Sequence, residues 1–189
     1  MSHFVVRPGE TDFDSQDRIQ GALDLPMNAC GVAQVNNVAE SLREEDLDFI
    51  YTSPSEPSLS AAHQLGKLLN VPVRVLDGLA NSDLGLWQGL SRSEVRQKQP
   101  RVFRQWEELP ESVCPPCGEP PEELVRRVEQ ALRKPLRRGG SFAVVVSDPV
   151  AGLVDRLLSG GAPLHSPVVL GAPGTCRRVE VRVPAGNAS

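Results

Sequence analysis

The sequence predicts an α/β fold: a three-layer α/β/α sandwich around a mostly parallel central sheet. Three observations lead there. Short apolar runs alternate with amphipathic segments along most of the chain, an order that places helices on both faces of a sheet. Phe142-Ala143-Val144-Val145-Val146 is apolar without a break, as a central strand covered on both faces requires. A chain of 189 residues can bury one sizeable core and is short for two, so a single domain over 1–189 is expected.

The elements follow in order. Phe4-Val5-Val6 is a short apolar strand, and a polar loop runs from Gly9 to Pro26. Ala33, Val35, Val38, Ala39 and Leu42 recur at three- and four-residue steps and mark an amphipathic helix. Asp48 to Thr52 reads as a second strand. Ser55 as N-cap and Pro57 in the first turn start a helix reaching Leu69. Asn70 to Val75 is a third strand. Residues 79–118 form an irregular, cap-like insertion, with a helix expected over Ser91 to Gln99. Pro120-Pro121 and Glu122-Glu123 suit the first turn of a helix, with Leu124, Val128, Ala131 and Leu132 as its apolar stripe. Asp148 and Pro149 read as N-cap and first-turn residues of a helix to Leu158. Two late strands are expected, one at Val168-Val169-Leu170 and one ending at Val183, and the tail 184–189 reads as frayed.

The net charge of −4 is a poor match for a nucleic-acid binder. The clustered Arg126-Arg127, Arg133-Lys134 and Arg137-Arg138 are read as solvated helix faces, or else as an anionic docking patch. No basic leader followed by a long apolar run is visible, and no stretch approaches the length of a membrane span. The expectations are therefore a cytoplasmic location, no nucleic acid, no membrane and no cofactor. Four cysteines suggest no disulfide framework. Cys114-Pro115-Pro116-Cys117 has CxxC spacing but lacks the nearby ligands of a zinc site and the strand–helix setting of a thioredoxin site.

In α/β sheets, ligands sit at the C-terminal ends of strands. Val5-Val6-Arg7-Pro8-Gly9-Glu10-Thr11, followed by Arg18-Ile19-Gln20-Gly21, resembles the opening of the histidine phosphatase family, phosphoglycerate mutase-like branch. That family opens with Arg-His-Gly-Glu-Thr and a later Arg-x-Gln-Gly. Asp24-Leu25-Pro26-Met27 with Gly31 and Gln34, Asp48 to Pro54, Leu79 to Gly89 with Asp83, Gly85, Trp87 and Gly89, and Val144 to Ser147 resemble its later segments, in order. The resemblance spans about 4–158.

The departures concern chemistry. What the resemblance implies for the family's phosphoryl-accepting histidine falls on Pro8. Its second phosphate-holding arginine falls on Pro57, its proton-donating glutamate on Asn81, its second histidine on Asp148 and an opening-loop asparagine on Asp14. Of the principal pocket residues only Arg7 remains. Phosphoryl transfer to an enzyme needs a lone pair placed for in-line attack and positive charge around the transferred oxygens. A proline nitrogen is a tertiary amide and cannot attack. Asp14 and Asp148 would repel a dianion by roughly 4 kcal/mol per unit charge at ~4 Å and an effective dielectric near 20.

The expected function is therefore that of a catalytically inactive pseudoenzyme on a phosphatase fold, binding a protein or small-molecule partner. The alternative is a divergent phosphomonoesterase using other residues, for example Asp14 and Asp148 around a cation, although two carboxylates make only a partial site. No metal site is expected. Arg7 and Arg18 either hold a weak anion or pair with acids such as Asp14, Asp17 or Asp148. His3, His63 and His165 stand at no family position; His63 is an ordinary helix histidine or a relocated acceptor. Trp87 and Trp106 are expected to pack rather than stack on a ligand. A thiol activity at Cys114 and Cys117 is a third reading.

Overall fold

The computed structural model describes residues 1–109, 112–160 and 171–179. Within them, β1 (His3–Val6), β2 (Phe49–Thr52), β3 (Val73–Val75), β4 (Phe142–Val145) and β5 (Cys176–Val179) form one sheet of order β3-β2-β4-β1-β5. The first four strands are parallel and β5 runs antiparallel to β1. Phe142 to Val145, the unbroken apolar run, lies centrally between β1 and β2. The three-layer, mostly parallel sandwich is what the sequence predicts.

Side chains alternate across the sheet, so each strand feeds two cores. Val5, Tyr51 and Val144 pack under α6 (Pro121–Arg138) and α7 (Val150–Leu158), through Val128, Leu132, Leu153 and Val154. Phe4, Val6, Ile50, Ala143 and Val145 pack under α2 (Ala29–Leu42) and α3 (Ser58–Leu69), through Val35, Leu42, Ala61 and Leu65. At about 25 cal/mol per Å² of apolar area, each buried Val or Leu contributes roughly 1.5–3 kcal/mol.

Residues 79–118 are more regular than expected. A 3₁₀ turn at Asp77–Leu79 leads into them, and they hold a second at Gly85–Trp87, then α4 (Arg92–Lys98) and α5 (Pro100–Glu108). Ser91 and Glu94 form a reciprocal capping box at the start of α4, the device that satisfies two orphan backbone donors. Trp87, Phe103 and Trp106 build a separate small core with Ile19, Leu84, Val95 and Val113, the two indoles edge-on at 5.8 Å. The loop from Gly9 to Pro26 likewise contains a short helix, α1 (Asp12–Ser15), capped by Thr11 and Asp14.

Two expected caps are corrected. Ser55 is not an N-cap: α3 begins at Ser58 after Pro57, without a side-chain cap, and the Ser55 hydroxyl instead accepts from the Asn81 backbone at 3.4 Å. Asp148 is not one either: α7 begins at Val150 after Pro149, because the Asp148 carboxylate is committed to stronger, charged partners. The expected strand at Val168-Val169-Leu170, His165 and the tail 184–189 lie outside the described residues.

Candidate functional site

Three strand ends and two loops meet around a cavity of about 400 Å³ at the C-terminal end of the sheet. Arg7 and Pro8 arrive directly after β1, Pro57 after β2, and Ser147 and Asp148 after β4. Gly171 and Pro173 border the cavity ahead of β5. One wall is the loop Asp14 to Gly21 and another is Leu84 and Trp106 from the small core with Arg92 of α4. That wall is tied on: the Ile19 N–H donates to Leu90 O at 2.9 Å and the Gly89 N–H to Ile19 O at 2.8 Å.

The floor is an ion pair. Arg7 donates from Nε to Asp148 Oδ2 at 2.8 Å and from Nη2 to Oδ1 at 3.0 Å. This is the fork-on-carboxylate geometry that makes such bonds strong and oriented. The Gly171 N–H adds a third bond to Oδ2 at 2.9 Å. The two side chains are only 10 % and 19 % exposed, so the pair is weakly screened by solvent. Gly171 lies flat on the arginine: a Cβ there would come within 2.4 Å of Arg7 Nε. Of the alternatives open for Arg7, the pairing with Asp148 is the one found. Arg7 thereby offsets the negative charge that Asp148 brings to the phosphate position.

The remaining residues singled out from the sequence are spread unevenly. Pro8, Asp14 and Pro57 line the cavity. Asp14 accepts at Oδ2 from the Thr11 N–H and hydroxyl, at 2.8 and 2.7 Å. Asn81 is not among the lining residues; it is buried behind Pro57, donating from Nδ2 to Glu56 O at 3.0 Å. Arg18 lies at the mouth, donating to Gly89 O at 2.6 Å and Gln16 Oε1 at 3.1 Å rather than to an acid. Arg92 pairs with Asp17 at 3.4 Å and lies over the Trp106 ring. The lining thus carries three arginines and three aspartates, and opposite charges balance.

His63 is exposed on α3 and does not line the cavity. His3 is buried on β1, stacked on Phe142 at 3.9 Å, and burial lowers its pKa. Among the described residues no group of three His, Cys, Asp or Glu side chains is placed to hold a metal. Of the two carboxylates weighed as cation ligands, Asp14 spends one oxygen on donors and Asp148 both. Trp87 and Trp106 are 2 % and 3 % exposed and pack on each other, although an edge of Trp106 reaches the cavity.

Sequence reasoning missed Gly171, Arg92 and Ser147. No spacing rule points to Arg92, which is far from the strand ends in sequence and joins the cavity only through the folding of residues 79–118. The Gly171-Ala172-Pro173-Gly174 stretch was legible as a turn, and its backbone N–H as an anion donor was not. Arg127 is also corrected. It is no solvated residue: it forks onto Glu119 and donates to Gly78 O and Ala80 O, both at 2.8 Å, pinning α6 to the first 3₁₀ turn.

A parallel sheet with an arginine at the end of its first strand, a polar cavity above it and a helical wall over that cavity defines a phosphatase-fold protein. The chain belongs to the histidine phosphatase superfamily (branch 1), whose profile matches residues 3–165. It is 32% identical over 142 residues to phosphoserine phosphatase 1 of Hydrogenobacter thermophilus, covering 75% of this chain and 67% of that enzyme. It is 29% identical over 162 residues to a bifunctional protein of Mycobacterium tuberculosis, where the match takes in 84% of this chain but 44% of the relative's length. A mycobacterial glucosyl-3-phosphoglycerate phosphatase in complex with VO3 has the same fold, with a TM-score of 0.82 at 22% identity over 94% of this chain and 90% of that one. No described helix is long and apolar enough to cross a membrane.

Proposed function

We propose that this chain is a non-catalytic histidine-phosphatase-fold protein with a binding or scaffold role, its phosphate seat filled by its own Asp148. The observation that carries this reading is the forked Arg7–Asp148 pair beside Pro8. In the family the resemblance identifies, the residue after the first arginine is the histidine that accepts the phosphoryl group. Proline has no nucleophilic nitrogen in that place. A substrate phosphate would also have to displace a carboxylate already held by three hydrogen bonds, to gain an arginine that is then its single strong anchor on the floor. Pro57 and Asn81 supply neither the second cation nor the acid that phosphoryl transfer needs. The degenerate pocket is thus Arg7, Pro8, Asp14, Pro57, Asn81 and Asp148, with Arg7 and Arg18 as what remains for a weak anion.

The test is turnover of p-nitrophenyl phosphate and 3-phosphoglycerate by the purified chain. No rate above background is expected, and Arg7→Ala should leave that null result unchanged. Turnover that Arg7→Ala abolishes would overturn the proposal, as would vanadate seated on Arg7 in a soaked crystal with Asp148 displaced.

A further inference from the structure

The β3 edge of the sheet carries a cluster of cations that the cavity does not use. Arg74 on β3 and Arg138 at the end of α6 both stack on Phe49, each guanidinium Cζ 4.3 Å from the ring centroid. The two guanidiniums are therefore less than twice that distance apart. Among the described residues, three other arginines that lie over rings, Arg92, Arg96 and Arg178, also meet a carboxylate. Arg74 and Arg138 meet none there. Asp48, beside Phe49, accepts instead from the Ser141 N–H at 2.9 Å. Stacking orients each guanidinium plane and leaves its N–H fork open at the rim. Lys134, one turn before Arg138 on the same flank of α6, is a third exposed cation. The helix dipole favours cations in a last turn. That accounts for Arg138, but not for Arg74 on a strand.

The backbone beside this cluster is open as well. β3 ends the sheet on that side. The Ile50 N–H donates to Pro72 O at 3.0 Å and the Leu76 N–H to Thr52 O at 2.9 Å. Pro72, Arg74 and Leu76 thus turn their peptide groups toward β2, and those of Val73 and Val75 face outward. Val75 is 45 % exposed. Arg74 pairs in register with Tyr51, so its side chain leaves the sheet on the face that α6 covers.

We propose that this edge binds an extended acidic segment of a partner protein. Its backbone pairs with Val73 and Val75, and carboxylates on alternate residues reach the forks of Arg74 and Arg138. A strand added to a free edge gains main-chain bonds, and its alternate side chains give selectivity. The guanidinium fork matches a carboxylate and holds it in a fixed orientation. A second copy of this chain is the poorer occupant. A two-fold contact sets a surface against its own image, and here it would bring guanidiniums together. Duplex nucleic acid is poorer too, because it offers no strand to pair and the chain carries a net charge of −4. Phe49, Arg74, Lys134 and Arg138 do not line the cavity, so the inference stands whether or not the cavity turns over a phosphate ester.

The experiment titrates the full chain into a short fluorescein-labelled peptide of alternating glutamate and valine and reads anisotropy at low ionic strength, where exposed charges are least screened. Saturable binding is expected. Arg74→Gln together with Arg138→Gln should weaken it roughly tenfold, the sum of two exposed charge pairs. Arg43→Gln together with Arg96→Gln removes the same charge elsewhere and should leave it unchanged. The same peptide with proline at each valine cannot pair and should bind more weakly. No binding, or equal loss from both pairs of substitutions, would overturn the site. Undiminished binding of the proline peptide would overturn the strand pairing. Stronger competition by duplex DNA or phosphatidylserine vesicles than by unlabelled peptide would overturn the choice of partner. A dimer in sedimentation that excludes the peptide would give the edge to a second copy.

Discussion

Replacing Asp148 by Asn keeps the shape of the side chain and removes the charge that Arg7 grips. The carboxylate takes bonds of 2.8 and 3.0 Å from Arg7 and one of 2.9 Å from Gly171. An amide retains one oxygen for Arg7 Nε or Gly171, and turns an NH2 toward Arg7 Nη2. At least one charge-assisted bond is lost, about 1.5–3 kcal/mol. The overlapping Coulomb attraction is about 4 kcal/mol at ~4 Å and an effective dielectric of 20. A fully buried pair broken on one side costs about 3–5 kcal/mol. With exposures of 10 % and 19 %, solvent reduces this, and about 2–3 kcal/mol is expected. For a chain of this size that lowers Tm by about 5–10 °C.

The assay is a double-mutant cycle by urea unfolding, with Arg7→Met, Asp148→Asn and both together. A coupling of about 2 kcal/mol is expected, within the range for contacting residues. A second readout separates the seat from general stability. Once the carboxylate is neutral, inorganic phosphate should stabilise Asp148→Asn, by about 1.4 kcal/mol at ten times its Kd, and leave the unaltered chain unmoved. A coupling below about 0.5 kcal/mol would refute an internal anion at Arg7, and so would equal phosphate stabilisation of both proteins.

Three further outcomes follow from the geometry. Gly31→Ala should destabilise by at least about 1–3 kcal/mol in urea, because a Cβ there would lie 2.2 Å from Glu10 O, a backbone atom; a neutral result would mean that the close approach of the loop to α2 is not required. Arg127→Met should cost about 2–4 kcal/mol by leaving Glu119, Gly78 O and Ala80 O without their donor, and Arg127→Lys should recover only part of it, since an ammonium cannot fork. The third is pH dependence. Burial holds His3 below its ordinary value of 6.5, with the N-terminal charge acting the same way and the Ser2 backbone bond opposing. Below pH 6.5 the unfolded chain binds the proton more readily, so the His3 contribution to stability falls as pH drops through that window. Chemical unfolding at pH 7.5 and 5.5 should therefore show the unaltered chain losing stability relative to His3→Phe, and parallel pH dependences would contradict this.

Much of the fold was legible because its signals are local. Val144 and its neighbours can be nothing but a covered strand, and the step from Val35 to Leu42 fits one helix face. The helices α1 and α5 were harder. Four residues carry too little periodicity, and α5 shows its buried Phe103 and Trp106 among five charged or amide side chains. Ser55 and Asp148 misled for a common reason. Each has good capping chemistry, but capping is worth about 1 kcal/mol, and a tertiary partner can outbid it. Arg7 did so for Asp148. Arg127 was read as surface because charge clusters usually are, and only the folded position of residues 77–81 reveals its acceptors.

The Arg7–Asp148 pair also links two substitutions that look independent along the chain. An arginine 10 % exposed at a strand end carries a charge that must be met by an anion, and an active phosphatase meets it with substrate. On the proposed non-catalytic reading, Pro8 leaves no nucleophile beside that arginine, yet the buried guanidinium remains and would cost several kcal/mol uncompensated. Histidine at 148 would add to the positive charge there. Aspartate at 148 cancels it, and the Gly171 N–H completes the carboxylate's bonding. On this view the acid is what allows Arg7 to persist without phosphate. It follows that Pro8→His alone should remain inactive toward p-nitrophenyl phosphate, since the restored nucleophile would face an arginine already occupied; activity in that single variant would separate the two positions.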